Sequence, residues 1–327
     1  MFGLSDIGVE GRVAHKGGGL YDWHLLVDVK LTVSHLFFVA SLCFMMGYGS
    51  WVHADETTHL GASTEAVSDG DDEGVVDKLL SRFGEGSATW SLGVGLAAGV
   101  YPHYPGSKQD ETAVAPFPYA EYHSDRIELD RDGLAAKLFQ SDRFKLDLSV
   151  NGALPVSAKN NDLRTGMDDL ELMIELGPEL EITLATWDKS ILRFDIPARA
   201  NFEVTTSHAP SQAGWSTDPR IHFEQNFDNW EWEIDVGALW ASQSYQDVFY
   251  TVEAKDVTAT RPLYQAKSGL LAWRLSVTVE RRIGDWIMLG YLRQMDLAPS
   301  ANRDSPLLGQ DSYLAGGVAA IWMFKSK

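Results

Sequence analysis

His123 and Ser124, flanked by Glu121 and Asp125, come closest in this chain to a catalytic set, because nucleophilic catalysis combines an imidazole, a hydroxyl and a carboxylate. Neighbours on a strand point to opposite faces, so these two at a strand end do not naturally share a hydrogen bond. The sequence holds no Gly-x-Ser-x-Gly elbow and no phosphate-binding Gly-Lys-Ser/Thr loop. Nor do the histidines after residue 54 (His59, His103, His123, His208 and His222) form a His-x-x-x-His metal pair. Glu231, Glu233 and Asp235 place carboxylates two residues apart on one face of a strand, as acid–base work or cation binding requires. A row of that kind lining water pairs instead with arginine on neighbouring strands, and Arg274 is a candidate lumen charge beside it. Asp69, Asp71, Glu73 and Gly74 imitate the start of a calcium loop whose last ligand position falls on Leu80. The expectation is a non-enzymatic protein with no cofactor and no metal.

The elements that position these residues alternate with a period of two. In Trp-Glu-Trp-Glu-Ile-Asp-Val-Gly-Ala-Leu-Trp, Trp230, Trp232, Ile234, Val236, Ala238 and Trp240 share one face and the acids share the other. Leu192, Phe194, Ile196, Ala198 and Ala200 likewise oppose Arg193, Asp195, Pro197, Arg199 and Asn201, and the pattern recurs over 143–154 and 269–282. Strands are predicted at 89–100, 113–123, 126–139, 143–154, 168–177 and 179–187, then 190–203, 219–228, 230–242, 269–282, 285–297 and 312–324. Gly177-Pro178, Asn229 and Gly284-Asp285 read as tight turns, whereas 101–112, 155–167, 205–218, 242–268 and 298–310 are long. Short turns on one rim and long loops on the other suit an all-β, antiparallel transmembrane β-barrel of about 12 strands, within a range of about 10 to 14. Within 242–268 the segment 248–252 reads as strand-like, and this interval can supply extra strands or fold into the lumen.

The 327 residues carry 27 Lys and Arg against 46 Asp and Glu, a net charge of -19, which disfavours nucleic acid as a partner. The single cysteine, Cys43, excludes a disulfide framework and a cysteine-based zinc site. It lies in an apolar block, 36–51, preceded by Lys30 and followed by Val52-His53-Ala54, which reads as a secretory signal peptide cleaved between Ala54 and Asp55. Residues 1–29 are long and acidic for such a signal and read as an extension from an upstream start. The expected organisation is thus a removed leader over 1–54, an acidic flexible segment over 55–87, and the barrel over 88–327.

Alternation alone does not separate a soluble β-protein from a membrane barrel. The signal peptide, the charged second face and the tryptophans near strand ends (Trp90, Trp187, Trp230, Trp240, Trp273, Trp286 and Trp322) favour the membrane, with outer-membrane lipid as the first partner. The last strand places Val318, Ala320, Trp322 and Phe324 on one face. It resembles the signal read by the barrel-assembly machinery, apart from the added tail Lys325-Ser326-Lys327.

Two motifs then resemble the MipA/OmpV family of MltA-interacting proteins. One is Pro102-His103-Tyr104-Pro105-Gly106-Ser107 followed by Pro116-Phe117-Pro118-Tyr119 and Tyr122; the other is Arg303-Asp304-Ser305-Pro306-Leu307 before the closing strand. The resemblance covers about 88–324, the acidic leader and the Lys325 tail being where the chain departs from it. It implies a barrel in the Gram-negative outer membrane that acts as a scaffold between a peptidoglycan hydrolase and a peptidoglycan synthase. Some relatives resemble adhesins or solute and antibiotic entry routes. It offers no catalytic residues. In physical terms Pro102, Pro105 and Gly106 shape a loop by fixing or freeing φ, and Ser305-Pro306 starts a turn. A small-solute or antibiotic entry channel is the alternative, argued from the charged inner face, and an outer-membrane hydrolase dependent on His123 is a third.

Overall fold

The computed structural model describes residues 88–131, 133–205 and 209–326. The expected cleavage site at Ala54 and Asp55, the acidic segment to residue 87 and the calcium-like group all lie outside the described residues. The first seven strands are β1 (Thr89–Pro102), β2 (Asp110–His123), β3 (Ile127–Asp130), β4 (Gly133–Gln140), β5 (Phe144–Ala153), β6 (Leu172–Trp187) and β7 (Ser190–Val204). Six follow: β8 (Ser211–Thr217), β9 (Arg220–Phe227), β10 (Trp230–Ala241), β11 (Gly269–Ile283), β12 (Trp286–Asp296) and β13 (Ser312–Ser326). All pairings are antiparallel, and because β1 pairs with β13 and β10 with β11, the sheet returns on itself as a closed barrel.

Thirteen segments make twelve strands round the wall. β7 pairs with β9 through 190–195 and with β8 through 198–203, so β8 and β9 are two halves of one spanning strand. The break falls at Asp218-Pro219, where proline has no N–H for a ladder.

The expected count of about 12 is met, yet three boundaries differ from the expected ones. The stretch 126–139, read as one strand, is the β3–β4 hairpin, turning at Arg131 with Gly133 at φ 119°. The two strands expected either side of Gly177-Pro178 are one strand, β6. Gly177 is extended rather than turned, and the β6–β7 pairing lapses only locally, as a Cβ there would run into the Ala198 carbonyl. The upper half-strand β8 falls in what was read as the loop 205–218; Ser211-Gln212-Ala213-Gly214-Trp215 has no apolar alternation, and Gly214 sits at φ 90°.

The rims are unlike. Turns at 188–189, 228–229 and 284–285 are two residues long, with Asp228 at φ 51° and Gly284 at φ 57° as tight hairpins demand. Both ends of the barrel chain lie on this rim, since Ser91 pairs with Ser326. The other rim carries the long connections 103–109, 154–171, 242–268 and 297–311. The interval 242–268 folds over the lumen; of its expected strand-like segment 248–252, residues 248–250 end a helix, α1 (Gln243–Tyr250), and Val252 forms a single antiparallel bridge with Tyr264. Ser242 caps that helix by accepting from the Tyr245 N–H, while Tyr245, Gln246, Phe249 and Tyr250 at i, i+1, i+4 and i+5 bury one face.

The outward face is apolar. Val94, Leu96, Val114, Trp232, Val236, Leu275, Leu292 and Val318 all stand exposed there. Trp187, Trp230, Trp286 and Trp322 cluster near the short-turn end and Trp215 and Trp273 near the loop end, the paired aromatic girdles of a bilayer-spanning wall. Trp90 is the exception among the expected girdle residues. It is buried, although its unbroken pairing with β2 keeps it in step with Leu92 and Val94.

β2 pairs with β1 throughout 110–123 but with β3 only at Tyr122 and His123. Pro116 and Pro118 lie where no strand continues beyond β2, the setting in which a sheet tolerates proline.

Candidate functional site: the capped lumen

At the loop end the two motif segments, some two hundred residues apart in sequence, meet as one cap. Tyr104 donates its hydroxyl to the Leu307 carbonyl at 2.7 Å, and the Gly309 and Gln310 N–H groups both donate to the Gly106 carbonyl. Gly106 adopts φ 84°, with the Leu308 side chain 3.1 Å from where a Cβ would stand, so glycine is required for conformation and for closeness. Ser107 accepts from Asn161 Nδ2 at 2.9 Å, and Ser305 donates to the Tyr250 carbonyl at 2.7 Å. Tyr250 donates in turn to the Pro105 carbonyl at 2.8 Å, locking α1 under the motif loop. Tyr104, Ser107 and Ser305 are buried, Pro306 is half-buried, and Asp304 is exposed. Burial pushes the Tyr104 hydroxyl up to about 12, against the opposing pull of the Arg164 guanidinium, so it remains a donor.

Arg164 secures the other end of α1. Its Nη1 donates to the Val248 and Phe249 carbonyls at 3.3 Å, completing the last turn of the helix with a cation where the dipole favours one. Beneath the cap lies a cavity of about 50 Å³ lined by Tyr101, Pro102, Glu175, Tyr245, Arg293 and Tyr313, room for a few waters.

Below that, the inward positions of β5 to β11 carry charge. Glu231, Glu233 and Asp235 all point inward as expected, with Trp230, Trp232 and Ile234 outward. They do not act as one row. Glu231 and Glu233 both accept from Arg131, which also donates to Glu280 at 2.7 Å. Arg131 belongs to the β3–β4 turn and these acids to β10 and β11, far round the wall, so this hairpin tip reaches across the lumen. Asp235 instead binds His222 Nδ1 at 2.9 Å and lies 3.7 Å from Arg220. Arg220 pairs with Glu179, which also accepts from Arg199 at 2.7 Å. Arg274 pairs with Asp218 at the break between β8 and β9. Sequence reading missed Arg131, because its stretch was taken for strand; Asp132-Gly133, a strong hairpin signal, was the available clue.

His123 and Ser124 are not brought together, as their adjacent places at a strand end imply. Ser124 Oγ serves the β2–β3 turn, accepting from the Ile127 N–H at 3.0 Å and donating to its carbonyl at 3.1 Å. His123 Nε2 faces Glu128 and Asp130 at 3.6 and 3.9 Å instead. At the closing strand Trp322 and Phe324 project outward with ring centroids 5.9 Å apart.

Comparison with solved structures finds only loose likeness. A bacterial polysaccharide outer membrane secretin matches at 10% identity and TM-score 0.36 over 73% of this chain and 98% of that one. A Pseudomonas aeruginosa FadL homologue matches at 10% identity and TM-score 0.29, over 72% and 89% respectively. The Pseudomonas putida toluene transporter TodX gives 10% identity and TM-score 0.32, over 76% and 91%. No curated protein matches by sequence. The family model described as MltA-interacting protein MipA matches residues 94–324, from within β1 to Phe324 in β13, and the chain belongs to that family.

Proposed function

We propose that this barrel resides in the outer membrane of a Gram-negative bacterium, placed there by the barrel-assembly machinery, and acts as a non-enzymatic scaffold joining a peptidoglycan hydrolase to a peptidoglycan synthase. The observation that carries the reading is the filled lumen. The buried α1 and the two motif loops occupy one end, and Arg131 with its carboxylates crosses nearer the other. A pore needs a continuous water path, whereas a scaffold needs only a rigid support for its rim. The short-turn rim faces the periplasm in this reading, as outer-membrane barrels place their short turns there. The family description, which names an interaction with MltA, points the same way.

The test is in vivo cross-linking from the turns 188–189, 228–229 and 284–285, with conductance of the purified barrel in planar bilayers. Capture of a lytic transglycosylase together with a synthase, and no steady conductance, is the expected result. A cation-selective current that changes when Glu231, Glu233 and Asp235 become alanine would replace the scaffold with a small-solute channel.

A further inference from the structure

On the charged wall β9 and β10 are paired so that His222 stands opposite Asp235 and Glu224 opposite Glu233. All four point into the lumen. Two carboxylates directly opposite each other on neighbouring strands repel unless a cation lies between or beside them. The ligand atoms of His222, Glu224 and Glu233 lie within 4.8 Å of one another.

The histidine supplies the second observation. Its side chain is only 8% exposed, and its Nε2 is a buried atom with no hydrogen-bond partner. Nδ1 is held at 2.9 Å by the Asp235 carboxylate, which can only accept, so Nδ1 carries the proton and in the neutral imidazole Nε2 presents a bare lone pair. An unsatisfied buried acceptor is costly. A histidine oriented through its other nitrogen by a carboxylate is the usual outer shell of a metal ligand.

We infer that His222 Nε2, Glu224 and Glu233 form a site for a first-row divalent transition metal of the Zn²⁺ class, with Asp235 as the positioning residue for His222. One imidazole and two carboxylates suit such an ion better than Ca²⁺ or Mg²⁺, which favour oxygen alone. Around a tetrahedral ion with bonds near 2.0–2.1 Å, ligand atoms stand about 3.3 Å apart, so the three groups close by about an ångström or so on binding. Three protein ligands leave one position for water. The metal competes with the present partners of the carboxylates. Glu224 accepts from Asn226 Nδ2 at 2.8 Å and lies 3.7 Å from Arg193, while Glu233 shares Arg131 with Glu231 and Glu280. Metal entry is from the short-turn rim, where the Glu231 side chain is 30% exposed.

The second cluster, His123 with Glu128 and Asp130, is the internal control. Its histidine side chain is 44% exposed, and the imidazole already faces both carboxylates.

The test uses the full barrel, purified in detergent after metal stripping, with Zn²⁺ followed by calorimetry and Co²⁺ by visible absorption. Expected are one Zn²⁺ per chain and a Co²⁺ spectrum of low coordination number. His222→Ala should weaken Zn²⁺ at least about 100-fold and Asp235→Asn about 10- to 100-fold, while His123→Ala leaves affinity unchanged. The heat-shifted band on an unboiled gel checks each variant's fold, and His222→Gln replaces His222→Ala if the latter loses it. Absence of binding by the wild-type barrel, binding unaltered by the His222 variants, or binding lost with His123→Ala would each overturn the site.

Discussion

Along β12, β13, β1 and β2 the inward positions hold Ile287, Ile321, Ala97 and Phe117, whereas along β7, β9, β10 and β11 they hold Asp195, His222, Glu233 and Glu280. The two walls enclose one lumen by different physics. On the apolar wall each contact is local, and stability follows from area removed from water. Inward glycines make room there: a Cβ on Gly95 would stand 2.5 Å from Phe117 Cζ, so the ring occupies the space a side chain at 95 would take. On the charged wall no residue is stable alone, because each buried acid bears a desolvation cost that only a specific cation offsets. The β1–β13 seam that closes the barrel runs through the apolar wall, so closure requires no ion pair to form first.

The largest expected effect tests that interdependence. Arg131→Ala leaves the buried Glu233, with Glu231, without their shared cation and Glu280 with Arg282 alone, and should lower stability by about 3–5 kcal/mol. Urea unfolding in detergent measures it, and adding Glu233→Gln and Glu280→Gln should restore much of the loss. A loss no greater than that of an exposed pair would mean that the charged wall is as local as the apolar one. A smaller effect belongs to the apolar wall. Gly95→Val should cost about 1–3 kcal/mol through overpacking against Phe117 and Ile321, and Phe117→Ala in the same chain should recover part of it. Salt should change the first loss and leave the second unaltered.

The same contrast governs what could be read from the sequence. Outward and inward faces of β7, β10, β11 and β13 were legible because a period of two survives wherever a strand separates lipid from lumen. The strand total was right through offsetting errors, since Gly177-Pro178 read as a turn and Asp132-Gly133 did not. The first is a close backbone approach inside a strand, which local sequence does not distinguish from a turn. Inward acids at 231, 233 and 235 were visible, but their partners were not. Arg131 and His222 lie 100 and 9 residues away from Glu231, and only the register of β3, β9 and β10 brings them together. The contact between Tyr104 and Leu307 was equally hidden, although both motifs had been singled out.

The smallest expected effect comes from an ion pair outside both walls. Lys255 donates to Asp168 at 2.6 Å on the long-loop rim, where the two side chains are 57% and 85% exposed. The hydrogen bond and charge of Lys255 hold the Asp168 carboxyl below the usual aspartate range. A carboxyl depressed in the folded state contributes stability above its unfolded value, about 3.9, and loses it as pH falls through the lower folded value. Lys255→Met should therefore return the Asp168 titration, followed by carboxyl NMR, to the ordinary range while leaving the urea midpoint at neutral pH unmoved, because water screens the pair. The geometry resembles that of Arg131 with Glu280, so burial is the variable that separates them. A Lys255→Met midpoint shift comparable to that of Arg131→Ala would show that pairing itself, rather than desolvation of the lumen acids, sets the difference between the walls.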